Sequence, residues 1–128
     1  MATSSRTNER GEPSMKTEQV EAVALVALGG FSGAVLRYGV GLALPDVAGT
    51  LVANVVGSFV LGLFVSVAAT RRTRLFLGTG LLSSFTTYST FAVETAQLGP
   101  LAGTANVGVT YLLGFLAAGL GLALGGRR

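Results

Sequence analysis

Four long apolar segments constrain what this chain can fold into. They cover residues 20–44, 49–69, 75–98 and 101–124. About 20 helical residues cross a hydrocarbon core of ~30 Å, so each segment can form a span, the last two only when kinked or tilted. The connections are short, which makes consecutive helices antiparallel neighbours and puts both termini on one side. The pattern predicts an all-α membrane protein with four transmembrane helices.

The composition narrows the class further. With 50% apolar and 12% charged residues in a chain of 128, residues 20–126 are predicted to form one small membrane domain. Residues 1–19 are polar and mixed in charge, which predicts a disordered tail. The chain has no cysteine and no histidine, so disulfides, thiol nucleophiles and zinc clusters are excluded. There is no P-loop and no nucleophile–base pair, which argues against an enzyme.

The third apolar segment is interrupted by hydroxyl groups. The run consists of Ser83, Ser84, Thr86, Thr87, Tyr88, Ser89 and Thr90. Hydroxyls at membrane depth bond to their own helix or face a partner helix, a cavity or a pore, and a dense run competes with the helical hydrogen bonds. We therefore expect a broken third helix that lines a polar path.

Other polar residues lie inside the predicted spans. Asn54 is either a contact between helices or part of the path. Asn106 and Thr110 are four residues apart and share a helix face. Arg37 either extends to the membrane interface or forms an electropositive vestibule. Glu94 has no second carboxylate or histidine with which to relay protons, so a capping or packing role is expected.

Hydroxyl and amide donors beside aromatic edges suit a small, strongly hydrated anion, because donors replace its water and ring edges are electropositive. Nothing in the sequence couples this path to an energy source, so we infer passive flow. Lipid provides no hydrophobic force between helices, and the 19 glycines indicate close backbone packing instead. Four helices enclose little space, so we expect a dimer.

Three sequence blocks together resemble the small fluoride channel family, often called Fluc or CrcB. They are GGFSGAVLRY at 29–38, GTLVANVVGSF at 49–59 and GLLSSFTTYSTFAVE at 80–94. The resemblance implies an antiparallel dimer with two pores, a structural sodium ion at the centre of the interface, and selective passive export of cytoplasmic fluoride.

The resemblance also assigns roles to residues of this chain. It places Asn54, Tyr88, Phe91, Ser89, Asn106 and Thr110 along the fluoride path, Arg37 in the vestibule, and the backbone carbonyls of Ser83 and Thr86 on the sodium ion. Two positions depart from the family: Ser83 and Ser84 stand where glycines are usual, and Tyr88 stands where phenylalanine is typical. At 83 and 84 the backbone freedom of glycine is lost while the main-chain carbonyls remain, and at 88 a phenol hydroxyl either narrows the pore or turns away from it.

The basic residues predict the orientation of the chain in the cell membrane. They lie at the membrane edges rather than among aromatics, which argues against nucleic-acid binding. Of the nine Lys and Arg residues, Arg37 is the one that could lie on the side of the membrane opposite the termini. The other eight lie on the same side as the termini. The positive-inside rule then places both termini in the cytoplasm. An antiparallel homodimer needs insertion both ways, so this bias favours an oppositely oriented paralogue as partner, with a homodimer as the alternative.

Two other classes of membrane protein compete with the channel. A small multidrug exporter also uses four short helices in a dimer, but its proton coupling needs a carboxylate in the interior of the first span, which this chain lacks. A non-conducting partner subunit would explain the glycines but not the donors of the third segment.

Overall fold

The computed structural model describes residues 14–67 and 69–127, and helices form most of these residues. Helix α1 is Met15–Ala43 and α2 is Asp46–Val65. Residues 71–85 form a continuous helical segment, α3, and α4 is Ser89–Gln97. The last helix, α5, is Pro100–Gly125. No strand occurs in the described ranges.

Helix α1 begins earlier than the sequence predicted. The Ser14 side chain accepts a hydrogen bond from the Thr17 backbone N–H at 3.4 Å, and Glu18 lies in the first turn. A serine cap and an acidic first turn both stabilise a helix start. The prediction of a disordered tail is therefore wrong for residues 15–19, and its remainder, residues 1–13, lies outside the described residues.

Two tight connections join the helices where the sequence has turn-forming residues. Pro45 lacks a backbone N–H and cannot continue α1, and Asp46 follows with a φ of 60°. Gly99 has a φ of 82°, which glycine adopts without strain. Pro100 then occupies the first turn of α5, where its missing N–H costs nothing. Both turns reverse the chain within a few residues.

The helices pack as two pairs through glycine contacts. Helix α1 lies on α3, and α2 lies on α5. A Cβ atom at Gly29 or Gly33 would clash with the backbone of α3, and one at Gly62 or Gly121 would clash across the α2–α5 contact. Close backbone approach is the usual source of helix association in lipid. The close backbone packing that the glycines indicated is therefore present at Gly29 and Gly33 of α1 and at Gly62 and Gly121 of the other pair.

Within the described residues, three helices, α1, α2 and α5, are long and apolar enough to cross a membrane. The third predicted span is two shorter helices, α3 and α4, separated by residues 86–88. Within α3, Arg74–Leu82 is π-helical, a geometry that is rare beyond one turn and frequent near functional sites. The interruption between α3 and α4 lies beside α2 and α5. The candidate site lies at this junction of the helices.

Candidate functional site

A cavity of about 490 Å³ lies beside the interruption at residues 86–88. It is bounded by residues of α2, α3, α4 and α5. Of the predicted site residues, the cavity wall contains Asn54, Ser83, Thr86, Tyr88, Phe91 and Thr110. Ser89, Asn106 and Arg37 are not part of this wall. The fold thus brings together residues from two of the sequence blocks singled out above, 49–59 and 80–94, with Thr110 of α5.

The Asn54 side chain binds the backbone N–H and carbonyl of Thr87, and both residues line the cavity. Its Nδ2 donates to the Thr87 carbonyl at 3.0 Å, and its Oδ1 accepts from the Thr87 N–H at 2.9 Å. In a continuous helix the Thr87 N–H would instead donate to the carbonyl of Ser83. Asn54 therefore satisfies the backbone where the helix stops, and the Ser83 carbonyl loses its helical donor.

Thr87 also caps the start of α4. Its Oγ1 accepts a hydrogen bond from the Thr90 N–H at 3.2 Å, as an N-cap threonine does. Thr86, one residue earlier, is extended, with φ −80° and ψ 154°. In a continuous helix the Thr90 N–H would donate to the Thr86 carbonyl. The carbonyls of Ser83 and Thr86, the two named by the resemblance, are thus among those that lose their helical donors around the interruption.

The aromatic residues of the third segment lie close together. The Tyr88 and Phe91 ring centroids are 6.2 Å apart and the rings are tilted by 48°. Phe91 is 7% exposed and Tyr88 is 74% exposed. Phe91 is therefore buried among residues of this chain. Tyr88 also lines the cavity, but most of its side chain is not covered by this chain.

Polar residues of α5 tie that helix to α4. Asn106 donates from Nδ2 to the Thr95 Oγ1 at 2.9 Å, and Thr110 donates to the Asn106 Oδ1 at 3.5 Å. The second distance is at the outer limit of a hydrogen bond, so the Thr110 hydroxyl is weakly held. Ser89 is exposed, with its Oγ 3.4 Å from the Thr87 Oγ1. Only Thr110 of these predicted residues lines the cavity.

A buried threonine connects Arg37 with Glu94. Thr50 is 1% exposed; its Oγ1 accepts from the Arg37 Nη2 at 2.9 Å and donates to the Glu94 Oε1 at 2.9 Å. Among the described residues, Arg37 Nε and Glu94 Oε2 are buried without a hydrogen-bond partner. Glu94 is thus held by Thr50, and Arg37 is anchored rather than extended freely to the interface.

The sequence analysis did not identify Thr50. It lies four residues before Asn54 and eight before Ser58, so the three share one face of α2. That polar stripe in an otherwise apolar helix was the available signal.

A second cavity, of about 520 Å³, lies on another side of the interruption. Arg37, Tyr38, Ser84 and Thr90 contribute to its wall, and Thr86 and Thr87 line both cavities. A guanidinium and several hydroxyls therefore face this space without a carboxylate in its wall. Positive charge beside hydroxyl donors suits an anion, and the vestibule role of Arg37 stays a prediction.

Side chains that could bind a metal cation do not cluster in the described residues. No group of three His, Cys, Asp or Glu side chains converges anywhere in the described part of the chain. The candidate cation ligands are the main-chain carbonyls at the end of α3, whose oxygen atoms suit a hard ion such as sodium.

Comparison with known proteins gives one family. The model of the family described as "CrcB-like protein, Camphor Resistance (CrcB)" matches residues 24–126. A protein named Fluoride-specific ion channel FluC 1, from Haloarcula marismortui, is 54% identical over 101 residues, which cover 75% of this chain and 79% of that protein. The protein of the same name from Natronomonas pharaonis is 52% identical over 103 residues, covering 75% of this chain and 87% of that protein.

Proposed function

Because the chain belongs to the CrcB-like protein family, we propose that it is a passive, fluoride-selective channel that exports cytoplasmic fluoride. The similar proteins from Haloarcula and Natronomonas are named fluoride-specific ion channels. The observation that carries the proposal within this chain is the cavity in which the Asn54 amide, the Phe91 ring and the Thr110 hydroxyl meet. The proposal involves no chemical step, so the protein is not an enzyme.

The cavity residues can replace part of the water around a fluoride ion. Asn54 uses one N–H of its Nδ2 for Thr87 and retains a second donor. The weakly held Thr110 hydroxyl can turn its proton towards an anion. The Phe91 ring adds an electropositive edge without a full charge. Several weak contacts of this kind let an ion enter and leave.

Arg37 supports anion entry rather than tight binding. It lies in the second cavity, where its charge raises the local anion concentration. Its Nη2 is engaged with Thr50, which fixes the guanidinium at the wall. Asn106 and Ser89 belong in this proposal as polar residues adjoining the path, since Asn106 lies one turn before Thr110 and Ser89 lies beside Thr87.

A channel without energy coupling is enough for detoxification. Hydrogen fluoride is a weak acid that crosses the membrane uncharged and ionises inside. An inside-negative potential favours exit of an anion by about 2.3 kcal/mol per charge per 100 mV. Fluoride therefore leaves down its gradient, provided that chloride and protons do not pass.

The proposed architecture in the membrane has four passes. Helices α3 and α4 together form the third pass, with the interruption at mid-depth, and both termini are cytoplasmic. Irregular backbone at that depth is tolerated where it lines a cavity. Tyr88, 74% exposed beside the path, needs a second chain to close the wall, which supports a dimer. The charge bias favours an antiparallel arrangement with an oppositely oriented paralogue.

The carbonyls of Ser83 and Thr86 are proposed to hold a structural sodium ion at that dimer interface. Their lost helical donors support the assignment, because an unpaired carbonyl in a membrane needs another partner. Sodium would supply positive charge there. Serine in place of glycine at 83 leaves the main-chain oxygen in place, and the Ser83 side chain bonds back to the Thr79 carbonyl, away from that role.

Reconstitution into liposomes tests the function. The purified protein, with its paralogue if one is required, is expected to release fluoride from loaded liposomes and to retain chloride. Equal fluxes of the two anions would overturn the proposal.

A further inference from the structure

Four aromatic rings form a continuous chain from the interruption to the last helix. Tyr88 and Phe91 are followed by Tyr111 and Phe115 of α5. The Phe91 and Tyr111 centroids are 6.1 Å apart with the ring planes at 81°, and those of Tyr111 and Phe115 are 6.0 Å apart. Tyr111 and Phe115 also line the 490 Å³ cavity. Neither was identified from the sequence.

We propose that Tyr111 is a positioning residue that sets the orientation of the Phe91 ring towards the anion path. The inference rests on the proposed channel function and adds a residue of α5 to its selectivity. Phe91 is 7% exposed, so its ring can be held by neighbours in this chain. Tyr111 meets it nearly at right angles, the edge-to-face geometry that aromatic pairs prefer.

The orientation of this ring matters because a phenyl ring is electropositive at its edge and electronegative at its face. A ring that rotates presents either surface to an anion, and only one of them attracts it. Tyr88 is a poor restraint, since it is 74% exposed. Helix α4 has only nine residues and follows directly on the interruption. The restraint therefore comes from the neighbouring α5.

The contact is made by the ring, so the hydroxyl of Tyr111 is dispensable. Tyr111→Phe is expected to keep the parental ratio of fluoride to chloride flux in liposomes. Tyr111→Leu is expected to lower this ratio by about threefold to tenfold, the range that one edge-to-face pair supports. Phe31→Leu, an exposed position of α1 outside both cavities, is the matched control and should keep the parental ratio.

A double-mutant cycle separates positioning from general packing. If Tyr111 acts through Phe91, then Tyr111→Leu has little further effect on the flux ratio in a Phe91→Leu background. Effects of the two substitutions that simply multiply would overturn the inference, as would a parental ratio in Tyr111→Leu. Should Tyr111→Leu fail to assemble, Tyr111→Met, which fills similar space without a ring, is measured in its place. A parent protein that passes no fluoride would instead contradict the proposed function.

Discussion

The side-chain amide of Asn54 binds both backbone groups of Thr87, donating to its carbonyl and accepting from its N–H. An amide is suited to this because it carries a donor and an acceptor side by side. These two hydrogen bonds fix the orientation of the Asn54 amide. They also stabilise the non-helical backbone between α3 and α4. One side chain of α2 thus stabilises the interruption and lines the cavity.

Replacing Asn54 is expected to reduce both stability and fluoride flux. Asn54→Ala leaves the Thr87 N–H and carbonyl without partners, which costs about 1–3 kcal/mol of unfolding free energy. Asn54→Asp keeps an acceptor for the N–H but places a carboxylate against the carbonyl and the anion path, so its flux should be lower still. Thermal unfolding in detergent and liposome efflux measure the two effects.

The matched control for Asn54 is Ser32→Ala, because the Ser32 hydroxyl bonds only the Leu28 carbonyl of its own helix. It should behave like the parent. Parental stability in Asn54→Ala would show that the two hydrogen bonds do not hold the interruption.

Phe91→Ile is expected to reduce fluoride efflux by at least about tenfold, equivalent to about 1.4 kcal/mol. The substitution removes the ring edge from the cavity while keeping an apolar side chain. Leu77→Ile, in the π-helical part of α3 and outside both cavity walls, is the control. If both variants conduct like the parent, Phe91 is not a pore residue.

Thr50→Val is expected to destabilise the protein by about 1–3 kcal/mol, because the shape is kept while the hydroxyl between Arg37 and Glu94 is lost. Thr50→Ser keeps the hydroxyl and should lose less. Thr104→Val is a suitable control, since the Thr104 hydroxyl bonds only the Pro100 carbonyl one turn earlier. Thermal unfolding compares the three, and equal midpoints for Thr50→Val and the parent would contradict a role for this contact.

Removal of sodium is expected to lower the dimer fraction or the fluoride flux after long incubation. The control replaces sodium with potassium at equal ionic strength, because a site that selects ions by size would bind potassium less well than sodium. Thr86→Ala should keep the sodium dependence, since the proposed ligand is the main-chain carbonyl. Dimerisation and flux that are indifferent to sodium would rule out the cation site.

The termini are expected to be cytoplasmic in every molecule. Since the chain has no cysteine, a single cysteine in a C-terminal tag reports the orientation in intact cells without a background. Labelling with a membrane-impermeant reagent should require permeabilised cells. Comparable labelling from both faces would mean dual topology and would remove the case for an obligatory paralogue.

Several local features followed from the sequence. The two turns at Pro45 and Gly99–Pro100 were placed correctly to within a few residues, because proline and glycine act on the backbone where they stand. The start of α1 was placed too late, because hydropathy ignores a polar first turn capped by Ser14. The family resemblance was confirmed by the match over residues 24–126.

The sequence by itself determined the helical class, the apolar segments and the position of the hydroxyl run, since these depend on neighbours along the chain. Only the tertiary structure decided that Asn54 binds Thr87, that Thr50 connects Arg37 with Glu94, and that Tyr111 meets Phe91. Periodicity places a residue on one face of its helix, but it does not say which helix lies opposite. In this chain the glycine contacts between α1 and α3 and between α2 and α5 make that choice, because glycine lets the backbones approach closely there.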